Sequence, residues 1–467
     1  MPLKSLISQS LEAKAAPTPF GDTSFQLING KLVSYPDNFK TYIDKGYSAN
    51  DIIYSIIKLI TDKIRVAPWN MYKVKDESSY KSLIAMQQKK NWTAKDYSII
   101  SGLQKKALEV VKDAGKWGDL LKFPNQRETF TDFVANGCAF KLLTGNKYIW
   151  ASMIDKGVNS GTPAELHNLP SQYMEIFVDG SFPANITGYQ FNQMRTAKYA
   201  PELILHEADF NPDWSVNGSQ IYGVSPLKAA LKRLNKNNSM IDAETNTFQN
   251  EGIKALIALR NEPGKVGEEE TDRAVSTLSD MMRNQWSGVK NRNRIGIAGY
   301  AVDVHEIGLN SEEMQMIESG KMDIRMFCNV WGVPSQLMND PDNKAHNNVE
   351  EAEKALTTRC ALPQLVSFRE QLNRKGHLHW GMKENMVIDF DMTAYTELQA
   401  DMADMMVWIE KLVNKGLPLN RAMDLLNLEK VDSPLFDEPW ITPGMGQPLS
   451  EWELNEVDNT LSNENDI

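Results

Sequence analysis

The sequence predicts an α+β fold, mainly helical, with one β-rich stretch set between helices. Three observations carry this. Ile53, Ile56, Ile57, Ile60 and Ile64 recur at i, i+3, i+4, i+7 and i+11, one face of an amphipathic helix. Residues 145 to 215 run instead in short β-prone segments separated by turns. Beyond them helix-start signatures return, Ser225 before Pro226 and Asn310 three residues before Glu313.

Taken in order, residues 1 to 47 are short on helical periodicity and hold Pro17, Pro19, Gly21, Gly30 and Pro36. They read as an extended arm without a core of its own, packed on a neighbour or mobile. Ser48 carries the N-cap signature for the isoleucine helix, which stops near Pro68. Residues 76 to 116 are charged and helix-prone, with Tyr97, Ile100, Leu103, Leu108 and Val111, and read as an all-helical insertion. Residues 126 to 143 are again helical through Phe130, Phe133, Val134 and Ala135, before GNKYIWASMI turns to β-formers.

The β-rich module holds LHNLP, the run from Tyr173 to Val178, a turn at Gly180 to Pro183, ITGYQF, and Leu203 to His206. The helix after Pro226 has a narrow seam of Leu227, Leu231, Leu234, Ile241 and Phe248, with Asn238 in the remaining position. A helix of about 26 residues would approach 40 Å at about 1.5 Å per residue, and its other faces carry Lys228, Lys232, Arg233 and Lys236. So long and polar a helix suits neighbours standing around a wet space better than a monomer core.

Next come a strand at Lys254 to Arg260, a helix near 267 to 286 and a strand pair near 295 to 307. A helix follows with Met314, Ile317, Ile324, Phe327 and Trp331 on one face, stopped by Gly332 and Pro334. Ser335 to Asn348 is polar throughout and reads as an exposed loop, after which Asn348 and Glu351 cap the next helix. Another helix is expected beyond Pro363, then a strand at Val387 to Phe390. Helices at 394 to 415 and 419 to 428 are split by Gly416 and Pro418.

Composition narrows the function. No apolar run reaches the roughly 18 residues that span a bilayer, and the opening MPLKSLISQSLEAKAAPTP lacks the apolar core of a secretory signal, so no membrane is expected and the chain is read as cytosolic. Cys138, Cys328 and Cys360 are widely spread, with no C-x-x-C pair, and read as buried hydrophobes. Net charge is −11, from 50 basic and 61 acidic residues. Residues 429 to 467 hold ten acids against Lys430 alone, so the remaining chain carries 49 basic and 51 acidic groups, and its body is nearly neutral.

Chemistry-bearing motifs are few. The absence of G-x-x-x-x-G-K-[ST] excludes a P-loop motor or kinase. His377 and His379 could share a strand face, but no third ligand falls at metal spacing. Asp389 and Asp391 could share a strand side, as a two-metal nuclease requires, although Asp391 also stands where a helix cap would. Pro341-Asp342 before VEEAEK resembles a restriction-type nuclease site, but Glu353 directly precedes Lys354, which breaks the needed Glu-x-Lys spacing. Neither catalytic residues nor a cofactor site is expected.

The order of the pieces resembles the portal proteins of tailed double-stranded DNA bacteriophages. The matching segments are FTDFVANGCAFKLLTGNKYIW, LHNLP, LILHEADF, YGVSPLKAALKRL, LNSEEMQMIESGKMDIRMFCNVWGVPSQLM, NVEEAEKALTTRCALPQLVSFREQLNRK and VNKGLPLNRAMDLLNLEKVDSPLFDEPW, co-linear over residues 50 to 440. The insertion at 76 to 116 and the acidic tail depart from the family's pattern. The resemblance implies a ring, usually of twelve subunits, at one capsid vertex. DNA enters there during packaging and leaves at ejection, with no catalysis by the ring itself. Implied partners are further copies of the chain, double-stranded DNA, the terminase large subunit, the major capsid protein and a head-tail adaptor. The implied location is the virion, with the host cytoplasm during assembly.

Carried onto this chain, the resemblance implies an arm at 1–47 and a wing over 48–127 and 251–376. It implies stem helices at 128–144 and 223–250 around a clip at 145–222, a crown at 377–428 and an acidic tail at 429–467. A tunnel loop at 334–347 would bring Asp340, Asp342, Asn343, Lys344 and His346 to the lumen, and Lys228, Lys232, Arg233 and Lys236 would line the stem channel. Two other classes stay open at this point: a metal-dependent DNA-processing enzyme built on Asp389 and Asp391, and an adaptor that forms no ring.

Overall fold

A computed structural model of the chain describes residues 38–88, 94–181, 184–193, 198–214, 218–250, 310–339, 346–399, 402–425 and 431–441. It also describes paired strands at 255–259 and 302–306, short strands at 27–28, 31–32 and 447–448, and positions 273 and 276. The isoleucine face forms helix α1, Asp51–Arg65, and all five isoleucines are buried. Each contributes roughly 2 kcal/mol by leaving water. The cap of α1 is Asn50 and not Ser48; its side chain accepts from the Ile53 N–H at 3.1 Å. Residues 38 to 47 also differ from the expected arm. Phe39–Thr41 and the π-helical turn Tyr42–Tyr47 bury Phe39 and Tyr42 in the main core, so the chain is anchored from Asn38 onward.

Strand β1, Trp69–Val74, is the centre of an antiparallel three-stranded sheet. Helices α2, Glu77–Gln87, and α3, Ala94–Ala107, follow, capped in the first case by Asp76. The expected all-helical insertion instead closes with a strand, β2, Leu108–Val110, which pairs with β1. The insertion is not a surface appendage. Leu83 and Ile100 are fully buried, the Tyr97 hydroxyl donates to the Met392 carbonyl at 3.0 Å, and Gln104 donates to the Phe390 carbonyl at 3.2 Å.

Helix α4, Phe130–Thr144, ends on Gly145, whose φ of +74° only glycine adopts cheaply. The β-rich stretch divides into two antiparallel sheets. Strand β3, Asn146–Met153, pairs with β4, Pro163–Leu169; β5, Met174–Val178, pairs with β6, Ile186–Phe191, which takes β7, Lys198–Tyr199. Strand β8, Ile204–Ala208, returns to the free edge of β3. These strands share one continuous apolar core with the helices. Trp69 marks its centre, with its ring centroid 5.4 to 5.7 Å from those of Phe130, Phe368 and Phe390.

Helix α5 is Pro226–Asn250, and strands β9, Ala255–Leu259, and β10, Val302–Glu306, pair antiparallel beyond it. Of the helix expected near 267 to 286 only positions 273 and 276 are described, both helical, and the rest of it and of the strand pair near 295 to 307 lie outside the described residues. Helix α6, Asn310–Trp331, ends as expected at Gly332, φ +72°. The exposed loop expected over 335 to 348 is shorter. Ser335–Met338 forms a 3-10 turn that packs Leu337 and Met338 on the core, and helix α7, His346–Ala355, begins before Asn348, which therefore sits inside the helix and does not cap it.

Pro363 does not separate two helices. The axis continues from α7 through a π-helical turn, Leu356–Ala361, into α8, Leu362–His379. Proline lacks the N–H that would bond residue 359 and its ring crowds that carbonyl, and the widened turn absorbs both effects. His377 and His379 consequently lie on the last turn of a helix, two residues apart, where side chains do not face each other. Strand β11, Met386–Phe390, pairs with β1, joining the start of the expected crown to the main core. Of the helix expected over 394 to 415, the described parts are Thr396–Gln399 and α9, Met402–Val413. Helix α10, Leu419–Leu425, forms with α9 a small separate cluster around Ile409 and Ala422. The start of the acidic tail is tied to it: Asn420 bonds the Val431 backbone in both directions and donates to Asp437 at 2.9 Å.

Candidate functional site

The candidate site is built on the pair of long helices, each of which buries one side in the main core, through Leu227 and Leu234 on α5 and Phe327 and Trp331 on α6. At about 1.5 Å per residue, α5 is roughly 37 Å long and α6 roughly 33 Å. They run antiparallel: Arg233 Nη1 meets Asp323 Oδ1 at 2.6 Å, while Lys236, one turn further along α5, donates to Ser319, one turn earlier in α6, at 2.5 Å. Burial on α5 covers Leu227, Ala230, Leu234, Asn237 and Asn238, and among the described side chains beyond them Ser239, Ile241, Asp242 and Thr245 are exposed. Leu231, expected in the seam, is half-buried.

The two helices are pinned at one point, the carboxyl end of α4. Ser225 caps α5 by accepting from the Leu227 N–H at 3.1 Å and donates its hydroxyl to the Leu143 carbonyl at 2.5 Å. The Trp331 indole donates to the neighbouring Leu142 carbonyl at 3.0 Å. Both are orphan carbonyls of a helix end. The contact is backbone-close. A Cβ on Gly223 would stand 2.0 Å from the Gly145 carbonyl oxygen, and the Asn146 side chain bonds both the N–H and the C=O of Gly223.

A buried polar node sets the orientation of the pair against α1. Asp323 is wholly buried and is reached by Arg233, Lys236 and Asn237. Asn50, the cap of α1, donates to the side-chain oxygens of Asn237 at 2.8 Å and Asn238 at 2.7 Å, and Asn238 donates to the Lys45 carbonyl. Of the four cations expected on the stem, then, Arg233 and Lys236 answer an internal carboxylate, and Lys228 lies 3.6 Å from Asp213. Lys232 is exposed and makes no ion pair among the described residues.

Asp340, Asp342, Asn343 and Lys344 lie outside the described residues, and His346 opens α7. The corner they belong to is marked by Asn339 at φ +56°, a left-handed position asparagine tolerates. Beneath it is a polar cleft of about 990 Å³ between α6, the Gly332–Gln336 corner and α7, lined by Arg325, Ser335, Glu351 and Arg359.

Asp389 and Asp391 do not form a paired site. Asp389 is buried against Arg369, 3.3 Å away, and Asp391 accepts from the Thr393 N–H as a cap. Burial raises the Asp389 pKa despite the adjacent guanidinium. Glu353 instead pairs with Lys63 at 2.6 Å. Among the described residues, no group of three or more His, Cys, Asp and Glu side chains is placed to hold a metal ion, and no helix is long and apolar enough to cross a membrane.

Sequence reasoning missed two buried charge centres. Asp323 is legible in hindsight, since it stands four residues before Phe327 on the apolar face of its helix. The other joins α4, β3, β8 and α8. Glu207, 4% exposed, is 2.5 Å from Lys141 and 2.6 Å from Lys147, and Ser367 donates to it at 2.5 Å. Burial disfavours its charge, yet Lys147 and Lys141 outweigh burial and hold its pKa down to about 2.

The model of the phage portal protein family matches residues 101–418, more than half of the chain. An uncharacterized protein of Rickettsia felis is 25% identical over 317 residues, spanning 64% of this chain and 77% of that protein. One of Rickettsia bellii is 22% identical over 391 residues, spanning 80% and 88%. Among solved structures, the neck of a native GTA particle computed with C12 symmetry superposes with a TM-score of 0.57 at 18% identity, covering 91% of this chain and 99% of that one. A chain from the virion of a native gene transfer agent particle gives 0.55 at 19%, covering 86% and 96%. The α+β portal fold and the extent of the family match together place this chain in the phage portal protein family.

Proposed function

We propose that copies of this chain close into a ring that serves as the DNA conduit at one vertex of a phage-like particle. The observation that carries the reading is the antiparallel pair α5 and α6, anchored at one end, with Ser239, Ile241, Asp242 and Thr245 of α5 exposed beyond the buried node. A pair that buries one side in its own subunit keeps long faces for adjacent copies. In this reading α5 and α6 are the stem. The chain between them, whose described part is the β9–β10 pair, is the clip. The sheets over 146–208 belong with the wing, and α9 and α10 begin the crown. The partition differs from the one expected from sequence because 130–144 is buried in the main core while 310–331 lies along 226–250.

DNA, the terminase large subunit, the capsid protein and a head-tail adaptor are the partners of such a ring. A conduit must not hold its cargo, because each neutralised phosphate adds counterion-release affinity. The near-neutral body and the internal pairing of Arg233 and Lys236 suit that requirement, leaving Lys232 as the stem cation best able to brush phosphates. Asp340, Asp342, Asn343, Lys344 and His346 form the collar. Similarity to chains of gene transfer agent particles suits a gene transfer agent as readily as a phage.

Negative-stain imaging and native mass spectrometry of the purified full chain test the ring directly. Monomer alone at micromolar concentration, across several salts, would overturn it. Deleting Asp340 to Lys344 should leave rings intact and abolish DNA packaging or retention; a full, stable genome in the deletion particle would remove the collar assignment.

A further inference from the structure

We propose that the aromatic pair Phe210 and Trp214 of one copy seats in a cleft on the outer side of α4 of the next copy, forming a repeating subunit contact. The proposal rests on the ring reading and names the surface that builds it. Phe210 is 86% exposed and Trp214 58%. Large aromatics on a loose loop would need no explanation, but this loop is held. Asp209 donates its N–H to the Gly145 carbonyl at 2.8 Å, and buried Asn211 donates to the carbonyls of Ser219 and Tyr222, both at 2.9 Å. Asn211 also accepts from the Asp213 N–H, and Pro212 stiffens the middle. A pre-organised loop presenting two aromatics has the character of a binding anchor, because little entropy remains to be lost on docking.

The cleft that would take them measures about 920 Å³ and has an apolar floor of Ile43, Tyr47, Ala139, Phe140 and Leu143. Its carboxylates are already engaged, Glu128 by Asn136 at 2.6 Å and Glu165 by His167 at 2.9 Å. Arg127 on its rim is exposed and has no ion pair among the described residues, while Asp213 stands between the two aromatics with its side chain 60% exposed and Lys228 no nearer than 3.6 Å, so a second cation can still reach it and the charges are complementary.

Position argues for a head-to-tail contact. On α4, Asn136, Ala139, Phe140 and Leu143 lie within one narrow sector. Lys141, which reaches Asp209 at the root of the aromatic loop at 3.5 Å, lies about 140° round the helix from it. Loop and cleft therefore open on different sides of the same helix. That is the arrangement a heterologous, ring-closing interface requires.

The test uses the full chain carrying Phe210→Cys and Phe140→Cys together, oxidised under non-reducing conditions; the three native cysteines are buried. The expected result is a ladder of covalent multimers from the double variant and none from either single variant. Phe210→Ala and Trp214→Ala should each weaken subunit association about 30-fold while leaving the melting temperature of the subunit unchanged. Wild-type rings without a ladder, and with alanine variants that associate normally, overturn this contact and leave the ring standing. A covalent product that stops at dimer, or forms within one chain, also overturns it. Wild type that never rises above monomer removes both readings.

Discussion

Replacing Glu207 by glutamine should destabilise the subunit by about 3 to 5 kcal/mol at neutral pH, the range for breaking a buried ion pair while its partners stay. The magnitude follows from what remains. Lys141 keeps Asp209 at 3.5 Å, but Lys147, 1% exposed, is left with a ring contact to Phe368 at 4.1 Å and a thiol at 3.9 Å, and no carboxylate. A linkage argument reaches the same size. Glu207 titrates at about 2 in the fold against an ordinary 4.5, and each pKa unit corresponds to about 1.4 kcal/mol, giving roughly 3 kcal/mol. A depressed carboxylate pKa stabilises above the unfolded value, so this contribution is complete above about pH 5 and is lost as pH falls from 4.5 towards 2. Chemical denaturation of wild type and Glu207→Gln at pH 7 and along an acid series reads both effects. The gap should be widest at neutral pH and narrow steadily below pH 4.5. A variant within about 1 kcal/mol of wild type at pH 7, or a gap independent of pH, would refute the reasoning that two buried lysines depend on this carboxylate.

Asp323→Ala removes the carboxylate that Arg233 and Lys236 share, and because both cations stay partly exposed to water it should cost about 1 to 2 kcal/mol, less than breaking a fully buried pair. Hydrogen exchange should then lose protection in 226–240 and 319–331 while α1 keeps its own; uniform loss would contradict a local node. Gly223→Ala forces a methyl to 2.0 Å from a backbone oxygen and should prevent soluble folding, whereas Gly157→Ala, at φ +98° with nothing within 4 Å, should cost only about 1 kcal/mol of backbone strain, as soluble yield and melting curves would reveal. The cysteines should be silent towards an aromatic disulfide reagent at pH 8, since burial pushes the Cys138 thiol up and the Cys360 thiol to about 11, and three thiols should appear on unfolding. Rapid modification of the folded chain would show that one of them is accessible.

Local pattern made several elements legible. The isoleucine helix, the strands at 146–153, 174–178 and 186–191, the Ser225 cap and the Gly332 stop all depend on residues close in sequence, so periodicity and cap chemistry located them. The family resemblance was legible for the same reason, as a co-linear set of such segments. Ser48 and Asn348 misled because each has a plausible cap's chemistry. Which candidate caps a helix depends on where the chain turns, and Asn50 prevails because its amide also bonds Asn237 and Asn238.

Within this chain, then, local sequence determined where most helices and strands form, which faces are apolar, and that no P-loop cradle is present. Tertiary structure decided how they combine. Pairing α5 with α6 depends on Asp323 meeting Arg233, ninety positions away, and the buried Glu207 is neutralised by lysines sixty and sixty-six positions before it. It also decided the fate of the candidate site residues: Arg233 and Lys236 look like solvent cations by spacing, and Asp389 like a catalytic acid. Only folding brings to each the opposite charge that occupies it. Such pairings are set by the closure of long loops around a shared core, and no short-range periodicity records them.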